Sequence, residues 1–448
     1  MIFRRQQGKE TPLSTVADLD FGGRPEQVAP EQVAVAGTRR GSAGLYLAAL
    51  QFLLTVSWTV YVVYLPQLAE RVGIPVDRII VILIIDQVIF TICDTLMGIA
   101  TDRMIAVAGR FSRVMVALGA TSCAAFLALP YVVDLGPSAE IPFLLLIGLW
   151  AVTSSALRAP PIALMGKFAA RPSVPWLCCL AMCGYGLAGA SAPYLGATLR
   201  AYDPRWPFLI SSAGLMVAAL SLPWIERQLR RGLLTPSVRP TLRLPRSRTV
   251  WAIILIPLMI VLAIGYQFHF ALDSVPLFLR FTKQPDLKWM MPVYWIGFSF
   301  TLFPVGFIVK RLGGFMIIGC AALLGAAAIL GMRYATNLDT MLVMQFVAGA
   351  AWGAILTSAM AMAIALGNRH SEGIFIGLIF SAVAIATGAR LAAQAIGIQN
   401  DPTFAAFLHW VPILCWSLSG VGLLALGLFR LGRTRKLASE TATKPLTA

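Results

Sequence analysis

Apolar and polar stretches alternate along nearly the whole chain. A helix needs about 20 consecutive apolar residues to cross a bilayer, and twelve apolar stretches of this chain are of about that length. The pattern predicts an all-α polytopic membrane protein with twelve transmembrane helices. The predicted segments are residues 44–67, 78–102, 111–133, 141–166, 174–199, 206–226, 250–276, 288–310, 313–333, 338–366, 372–396 and 404–430.

The polar stretches divide the chain into predicted domains. Residues 1–43 are polar and rich in Gly and Pro, which predicts a disordered cytoplasmic tail. A basic linker at 227–249 separates a bundle of six helices at 44–226 from a second bundle at 250–430. Residues 431–448 form a second cytoplasmic tail.

The composition favours lipid over water as the surroundings. Hydrophobic residues make up 58% of the chain and charged residues 12%, whereas soluble domains average roughly 25% charged residues. All seven cysteines lie within apolar segments. We therefore expect no disulfide in an outer loop, where an oxidising compartment would allow one to form.

The net charge of +16 orients the chain in the membrane. If the N-terminus is inside, 26 of the 36 Lys and Arg residues lie in cytoplasmic segments and 8 in outer loops. This asymmetry follows the positive-inside rule, which predicts cytoplasmic termini in a multi-pass protein of the cell inner (plasma) membrane. We expect the basic residues to face the lipid bilayer and cytoplasm, and we expect no nucleic acid as partner.

The loop after the second segment recurs in the second half of the chain. Each copy has a glycine, three further residues, a charged residue and an arginine, and the copies are 208 residues apart. Glycine lets two helices approach closely, and an acidic side chain can cap a neighbouring helix end. We name both copies the cytoplasmic latch; its residues are Gly98, Asp102, Arg103, Arg110, Gly306, Lys310 and Arg311.

The first copy resembles the loop signature of the major facilitator superfamily, Gly-x3-Asp-Arg-x-Gly-Arg-Arg, although five residues separate Arg103 from Gly109. The resemblance implies two pseudo-symmetric six-helix bundles around a central cavity that helices 1, 4, 7 and 10 line. It also implies transport by alternating access. Segment 5 is similar to the Gly-Pro-x2-Gly-Gly motif of the superfamily's drug–proton antiporters, with Ala192 and Ala197 in place of glycines.

Segment 2 also resembles that of the glycoside–pentoside–hexuronide cation symporters. Their Asp-x3-Asp-x3-Asp ladder contributes to cation binding; here Asp86 and Asp94 match the outer positions, and Phe90 occupies the middle one. A hard cation needs several converging oxygen ligands, whereas a proton needs only one carboxylate. The departure therefore favours proton coupling over sodium coupling, and a cation-coupled sugar-type symporter remains an alternative.

Ionisable residues inside apolar segments are costly and point to function. Asp94 and Arg158 lie at matching depth in the cytoplasmic half, and we predict that they pair, either as a fixed ion pair or with a role in coupling. Asp86 and Arg390 lie in the outer half. They either form a gate between the bundles or have separate local partners.

His269 and Asp273 lie four residues apart near the outer end of segment 7. In an α-helix this spacing places both side chains on one face, and histidine titrates near neutral pH. The pair is therefore a candidate proton relay. The alternative is that each side chain bonds to a different neighbour.

A central cavity is predicted to bind the substrate. Its candidate residues are aromatic and amide side chains with few net charges, which suit an organic molecule better than a bare ion, and Arg158 or His269 would accept a carboxylate. The candidate lining consists of Trp58, Tyr61, Ser154, Arg158, Gln267, His269, Gln345 and Trp352.

These features favour a monomeric secondary active transporter of a small organic solute, coupled to protons. No Gly-x4-Gly-Lys-[Ser/Thr] loop for ATP is present, and we expect neither an enzyme nor a cofactor. One alternative is a non-transporting assembly factor or receptor with a filled centre. Another is a copper transporter, because thiolate and thioether ligands suit Cu(I); the cluster concerned is Cys178, Cys179, Met182 and Cys183, and packing is the other explanation for it.

Overall fold

The chain folds into long helices that run through both halves of the sequence. The computed structural model describes residues 30–105, 107, 109–168, 174–231, 246–367, 371–398 and 401–442, and no strand occurs within these ranges. The helices of the first half are α1 (Pro30–Arg71), α2 (Val76–Met104), α3 (Arg110–Val132), α4 (Glu140–Ser155), α5 (Val174–Thr198) and α6 (Arg205–Arg231). Those of the second half are α7 (Arg246–Phe268), α8 (Pro292–Leu312), α9 (Gly314–Arg333), α10 (Leu338–Gly367), α11 (Glu372–Ala395) and α12 (Val411–Ala442).

Eleven stretches of the described chain are long and apolar enough to cross a membrane. One of them, Arg110–Phe168, has 59 residues and contains both α3 and α4. The predicted all-helical membrane fold is confirmed. The count of twelve crossings and the cytoplasmic location of the termini stay predictions.

Two helices extend beyond the predicted segments. α1 begins at Pro30, within the predicted N-terminal tail, and no proline interrupts residues 31–65. α12 ends at Ala442, within the predicted C-terminal tail. Residues 1–29, 232–245 and 443–448, which include most of the predicted linker, lie outside the described residues.

The helix contacts of the first half recur in the second. α1 packs against α5 and α6, α3 against α4 and α6, and α2 against α4. Adding six to each helix number gives α7 with α11 and α12, α9 with α10 and α12, and α8 with α10, and all of these pairs are also in contact. The main contacts between the halves, α2 with α11 and α5 with α8, are interchanged by the same operation. The fold therefore has the internal pseudo-symmetry that the repeated loop predicts.

Two irregularities position the site. α4 ends at Ser155, and residues 156–159 form a turn before a short helix, Pro160–Phe168. Pro160 and Pro161 have no backbone N–H with which to continue the ladder of α4. α7 continues into a π-helical turn, His269–Asp273, and then into Ser274–Phe278. Such single π-turns are frequent at functional sites.

Candidate functional site

A cavity of about 350 Å³ lies between the two halves of the molecule. Its walls come from helices of both halves, with α1, α2 and α5 facing α7 and α11. The polar residues of the lining are Gln51, Thr55, Ser57, Thr59, Gln87, Ser154, Arg158, Tyr185, Tyr266, Gln267, Thr387 and Arg390.

Aromatic rings form much of the remaining wall. On the side of the first half, Trp58 lies 6.2 Å from Trp150, with the ring planes 10° apart, and its edge meets Phe90 at 5.3 Å. The opposite side contributes further rings, from Tyr266, Phe270, Trp295 and Phe380. Flat rings bury a large apolar area at fixed geometry, so the cavity is suited to an organic body.

The predicted ion pair between Asp94 and Arg158 is present at one side of the cavity. The turn after α4 carries Arg158, whose Nη2 lies 2.5 Å from Oδ2 of Asp94. The Ser155 hydroxyl donates to Asp94 Oδ1 at 2.8 Å, and the Phe90 ring lies 4.5 Å from Arg158 Cζ. Because Asp94 is fully buried, the arginine and serine offset the loss of its hydration.

Asp86 does not pair with Arg390 in this structure, contrary to the gate interpretation. The Tyr61 hydroxyl donates to Asp86 Oδ2 at 2.8 Å, and the carboxylate is 1% exposed. Successive residues of a helix point about 100° apart, and it is the next residue, Gln87, that faces α11. A Cβ added to Gly388 would lie 3.3 Å from Gln87 Cβ. Asp86 therefore points into its own half.

Arg390 lies on α11 at the wall of the cavity. Its Nη1 donates to Gln394 Oε1 at 2.7 Å, and its Nε is buried without a partner. Within the described ranges it forms no ion pair with a carboxylate. Arg390 therefore differs from Arg158, whose charge is offset by Asp94.

Of the two interpretations of His269 and Asp273, the contacts match the one in which each side chain bonds to a different neighbour. His269 Nε2 lies 3.1 Å from Gln345 Oε1, whereas Asp273 Oδ1 lies 2.6 Å from His409 Nδ1. The reason is the π-helical turn that contains both residues. Its wider i→i+5 geometry displaces Asp273 from the position that an α-helix would give it. His409, which precedes α12, is the partner that sequence spacing did not identify.

The eight residues predicted to line the cavity separate into two layers. Trp58, Ser154, Arg158 and Gln267 belong to the lining. The other four are buried behind it: Tyr61, His269, Gln345 and Trp352. Trp352, for example, stacks on Tyr266 with ring centroids 4.6 Å apart. The sequence prediction placed these four side chains at the cavity surface, one layer closer to the cavity than they lie. Helix rotation decides this, and the sequence does not determine it.

Lining residues that the sequence analysis missed come from many helices, and those on α2 and α11 face each other across the halves. Gln87, Thr387 and Arg390 occupy the same wall, and of these only Arg390 was a candidate. Phe380, Val383, Ala384 and Thr387 all line the cavity, and their spacing of three and four residues corresponds to one helical face. That periodicity around Arg390 is the signal that could have identified them.

The first copy of the cytoplasmic latch joins the two halves. Asp102 accepts hydrogen bonds from the backbone N–H groups of Gly373 (2.8 Å) and Ile374 (3.1 Å), in the first turn of α11. These N–H groups have no partner within the helix, and the positive end of the helix dipole favours a carboxylate there. A Cβ on Gly98 would lie 2.4 Å from the Gly373 carbonyl oxygen. Only glycine permits this approach, which brings α2 against α11 at this end.

The second copy differs from the first because Lys310 has no oxygen to cap a helix. A Cβ on Gly306 would lie 2.9 Å from Cys179 Sγ, so this copy contributes to the contact of α8 with α5. The other basic latch residues are exposed: Arg103, Arg110 and Arg311.

Glu226 is a second helix cap that the sequence analysis did not identify. Its carboxylate accepts from the backbone N–H groups of Gly109 (3.3 Å) and Ser112 (3.1 Å) at the start of α3. Arg230 Nη2 lies 2.7 Å from Glu226 Oε1 and also donates to the Ile105 carbonyl at 2.9 Å. The contacts stabilise the loop between α2 and α3.

The cysteine cluster of α5 lies against α8. Cys178 and Cys179 are buried, and Cys179 Sγ lies 2.9 Å from the Leu302 carbonyl oxygen. Among the described residues, no group of three or more His, Cys, Asp or Glu side chains is arranged to hold a metal ion.

Solved transporter structures share this fold. The human organic anion transporter MFSD10 (TETRAN) superposes with a TM-score of 0.60 and 16% identity, covering 88% of this chain and 99% of its own. The E. coli fucose:proton symporter FucP superposes with a TM-score of 0.57 and 13% identity, and the match covers 86% of this chain and 98% of FucP. An outward-facing bacterial homologue of the iron transporter ferroportin superposes with a TM-score of 0.66 and 11% identity, and the match covers 85% of this chain and 98% of the homologue. Identities this low establish the fold alone.

The sequence itself identifies the family. No curated protein sequence matches the chain significantly. The family model of the Major Facilitator Superfamily, however, matches residues 47–389, which is most of the chain. Membership indicates a transporter rather than an enzyme. The chain therefore belongs to the Major Facilitator Superfamily, a family of secondary transporters.

Proposed function

We propose that the protein moves a small organic solute by alternating access, coupled to protons, as a monomer in the cell inner (plasma) membrane with cytoplasmic termini. The observation that carries the proposal is the cavity between the halves. Its volume of about 350 Å³ falls within the roughly 300–1,000 Å³ of small-molecule sites. Such sites combine apolar and aromatic walls with a few polar groups, as this lining does.

The contact of α2 with α11 supports alternating access. Asp102 and Gly98 hold the two halves together at the end that we predict to be cytoplasmic. A solute in the cavity can leave at that end only if the cap on α11 is released. This contact consists of the two hydrogen bonds of Asp102 and the close approach of α2 to α11 at Gly98. It can be broken without unfolding either half.

Asp86 is the residue best suited to carry the coupled proton. It is a buried carboxylate whose hydrogen-bond partner is the neutral Tyr61, whereas Asp94 is held by a cation. Tyr61 lies 4.6 Å from the Trp150 ring and 5.4 Å from the Trp58 ring, and both tryptophans line the cavity. A solute that moves these rings would therefore affect the surroundings of Asp86 through one side chain, that of Tyr61.

The observations favour this function over the alternatives. Asp86 and Asp94 have separate partners, and the Phe90 ring between them lies against Arg158, so the two carboxylates do not share an ion site. This weighs against sodium-coupled sugar transport. The lined cavity weighs against a filled assembly factor or receptor, and no observation favours copper transport.

The proposal is tested with purified protein in liposomes. Compounds that raise its unfolding temperature, in a screen of metabolites and drugs, are supplied as labelled solutes. We expect one of them to exchange across the membrane in counterflow and to accumulate against its gradient when a proton gradient is imposed. Absence of exchange for every such compound would contradict transport. Exchange that does not respond to a proton gradient would contradict proton coupling alone.

A further inference from the structure

We infer that the cavity binds a monovalent organic anion with a flat apolar body, and that Arg390 holds its charge. The inference rests on the proposed transport function and specifies its substrate class. It depends on three features of the lining: its charges, its unpartnered polar atoms and its aromatic surfaces.

The charges of the lining are positive. Arg158 and Arg390 are its two charged residues, and it includes no Asp or Glu. Asp94, directly behind the wall, offsets Arg158 through their 2.5 Å contact. One uncompensated guanidinium remains, that of Arg390. In a cavity with mostly apolar walls, a single half-buried cation favours a ligand with one negative charge.

The buried polar atoms of the lining that lack a partner are all hydrogen-bond donors. Among the described residues, three lining residues carry a buried N–H without a partner, and no lining residue carries a buried side-chain oxygen without one. The three atoms are Gln87 Nε2, Arg158 Nε and Arg390 Nε. Leaving a buried donor without an acceptor costs about 1–3 kcal/mol. A carboxylate supplies only acceptors, so it matches what the wall lacks.

The donors around Arg390 come from both halves of the molecule. Thr387 lies one turn before Arg390 on α11 and accepts a hydrogen bond from Gln267 Nε2 of α7 at 2.8 Å. Gln87 of α2 faces the same segment of α11, at Gly388. An anion at this wall would therefore contact the first half and the second half together. Binding there is coupled to the relative position of the halves, as alternating access requires.

The aromatic walls select the rest of the ligand. Rings on both sides of the cavity offer flat apolar surfaces, and a cavity of about 350 Å³ admits only a compact molecule. A neutral sugar would leave the Arg390 charge without a partner. An organic cation would meet a guanidinium and no carboxylate. An aryl carboxylate satisfies both the charge and the rings.

The test compares matched acids and amides on the purified full-length protein by calorimetry. The probes are benzoate, phenylacetate and 1-naphthoate, each with its neutral amide, and benzylammonium as the cation. We expect at least one carboxylate to bind about tenfold or more tightly than its amide, because charge-assisted hydrogen bonds are about twice as strong as neutral ones. We expect no binding of benzylammonium. Equal affinity of acids and amides, or no binding of any carboxylate, would overturn the inference.

Variants then identify the arginine. Arg390→Gln should abolish the preference for the acid over its amide, and Arg390→Lys should keep part of it. Arg205→Gln is the matched control, since Arg205 forms an exposed ion pair with Asp134 away from the cavity. An unchanged preference in Arg390→Gln would overturn the role of Arg390. If this variant does not fold, the Arg390→Lys variant and the acid–amide comparison on the native protein still decide.

The outcome also separates this inference from the proposed function. Neutral solutes that bind and exchange in liposomes, with no preference for anions, would refute the anion site and leave transport intact. Carboxylates that bind at Arg390 but never exchange across the membrane would refute transport and leave the anion site intact.

Discussion

Two carboxylates eight residues apart on α2 have different surroundings. Asp94 is enclosed by Arg158 and Ser155, whereas the hydrogen-bond partner of Asp86 among the described residues is the hydroxyl of Tyr61. Their positions in the sequence look equivalent, since each lies within the same apolar stretch. We propose separate tasks for them: Asp94 stabilises the turn that carries Arg158, and Asp86 carries the coupled proton.

Asp86→Asn tests the proton-carrying role. The amide has the same shape and can still accept from Tyr61, but it cannot gain or lose a proton. We expect solute exchange in counterflow to persist and proton-driven accumulation to fall to the equilibrium level, measured in liposomes. Tyr61→Phe is the companion variant, and it should keep proton-driven accumulation. Accumulation that survives in Asp86→Asn would show that another group carries the proton.

Asp94→Asn tests the structural role of the ion pair. Removing one partner of a buried pair costs about 3–5 kcal/mol, because the remaining charge is left unpaired. We expect a lower unfolding temperature in detergent for Asp94→Asn and partial recovery in the double variant Asp94→Asn/Arg158→Gln. The double variant being no more stable than the single one would contradict the pairing energy.

At the scale of the helix, irregular turns and close crossings decide which residues meet. The break after α4 brings Arg158 to Asp94, and the π-helical turn after α7 directs Asp273 to His409 and away from His269. Neither irregularity has a strong local signal in the sequence, apart from Pro160 and Pro161. The glycine crossing of α2 and α11 is different, because Gly98 belongs to a loop motif that predicts it.

Gly98→Ala tests the crossing of α2 and α11. The added Cβ would lie 2.4 Å from the Gly373 carbonyl oxygen, which is backbone and cannot turn aside. We expect the ends of the two halves to separate, measured as a longer distance between spin labels at Arg110 and Arg311 in a background without native cysteines. Gly148→Ala is the matched control, since a Cβ there meets nothing within 4 Å. An unchanged distance in Gly98→Ala would refute the role of this crossing in closure.

At the scale of the whole molecule, the two halves are repeats that carry different functional groups. Every main helix contact of the first half recurs in the second. The latch is not symmetric, because Asp102 caps α11 while Lys310 cannot cap its counterpart. The cavity is not symmetric either. The Asp94–Arg158 ion pair lies in the first half, and Arg390, which has no carboxylate partner among the described residues, lies in the second.

The orientation of the molecule is predicted by its loops and can be tested directly. Since 26 of the 36 basic residues lie on one side in the predicted topology, green fluorescent protein fused to the C-terminus should fluoresce. Green fluorescent protein inserted into the loop between α1 and α2 should not fluoresce, because this loop is predicted to lie outside the cytoplasm. Green fluorescent protein that is exported through the general secretion route folds poorly there. The reverse pattern would invert the topology and with it the side on which Asp102 acts.

The sequence alone determined the helical membrane fold and the internal repeat, and it predicted the pairing of Asp94 with Arg158 and a cap or ion pair at Asp102. These follow from properties that sequence carries directly: apolar length, loop spacing, and the need of a buried charge for a partner at the same depth. Tertiary structure decided that Gln87 and not Asp86 faces α11, that Asp273 bonds to His409, and that Arg390 lies in the cavity wall without a carboxylate partner among the described residues. The physical reason is that helix rotation and irregular turns are set by the packing of neighbouring helices, and a rotation of one residue changes which side chain reaches a cavity.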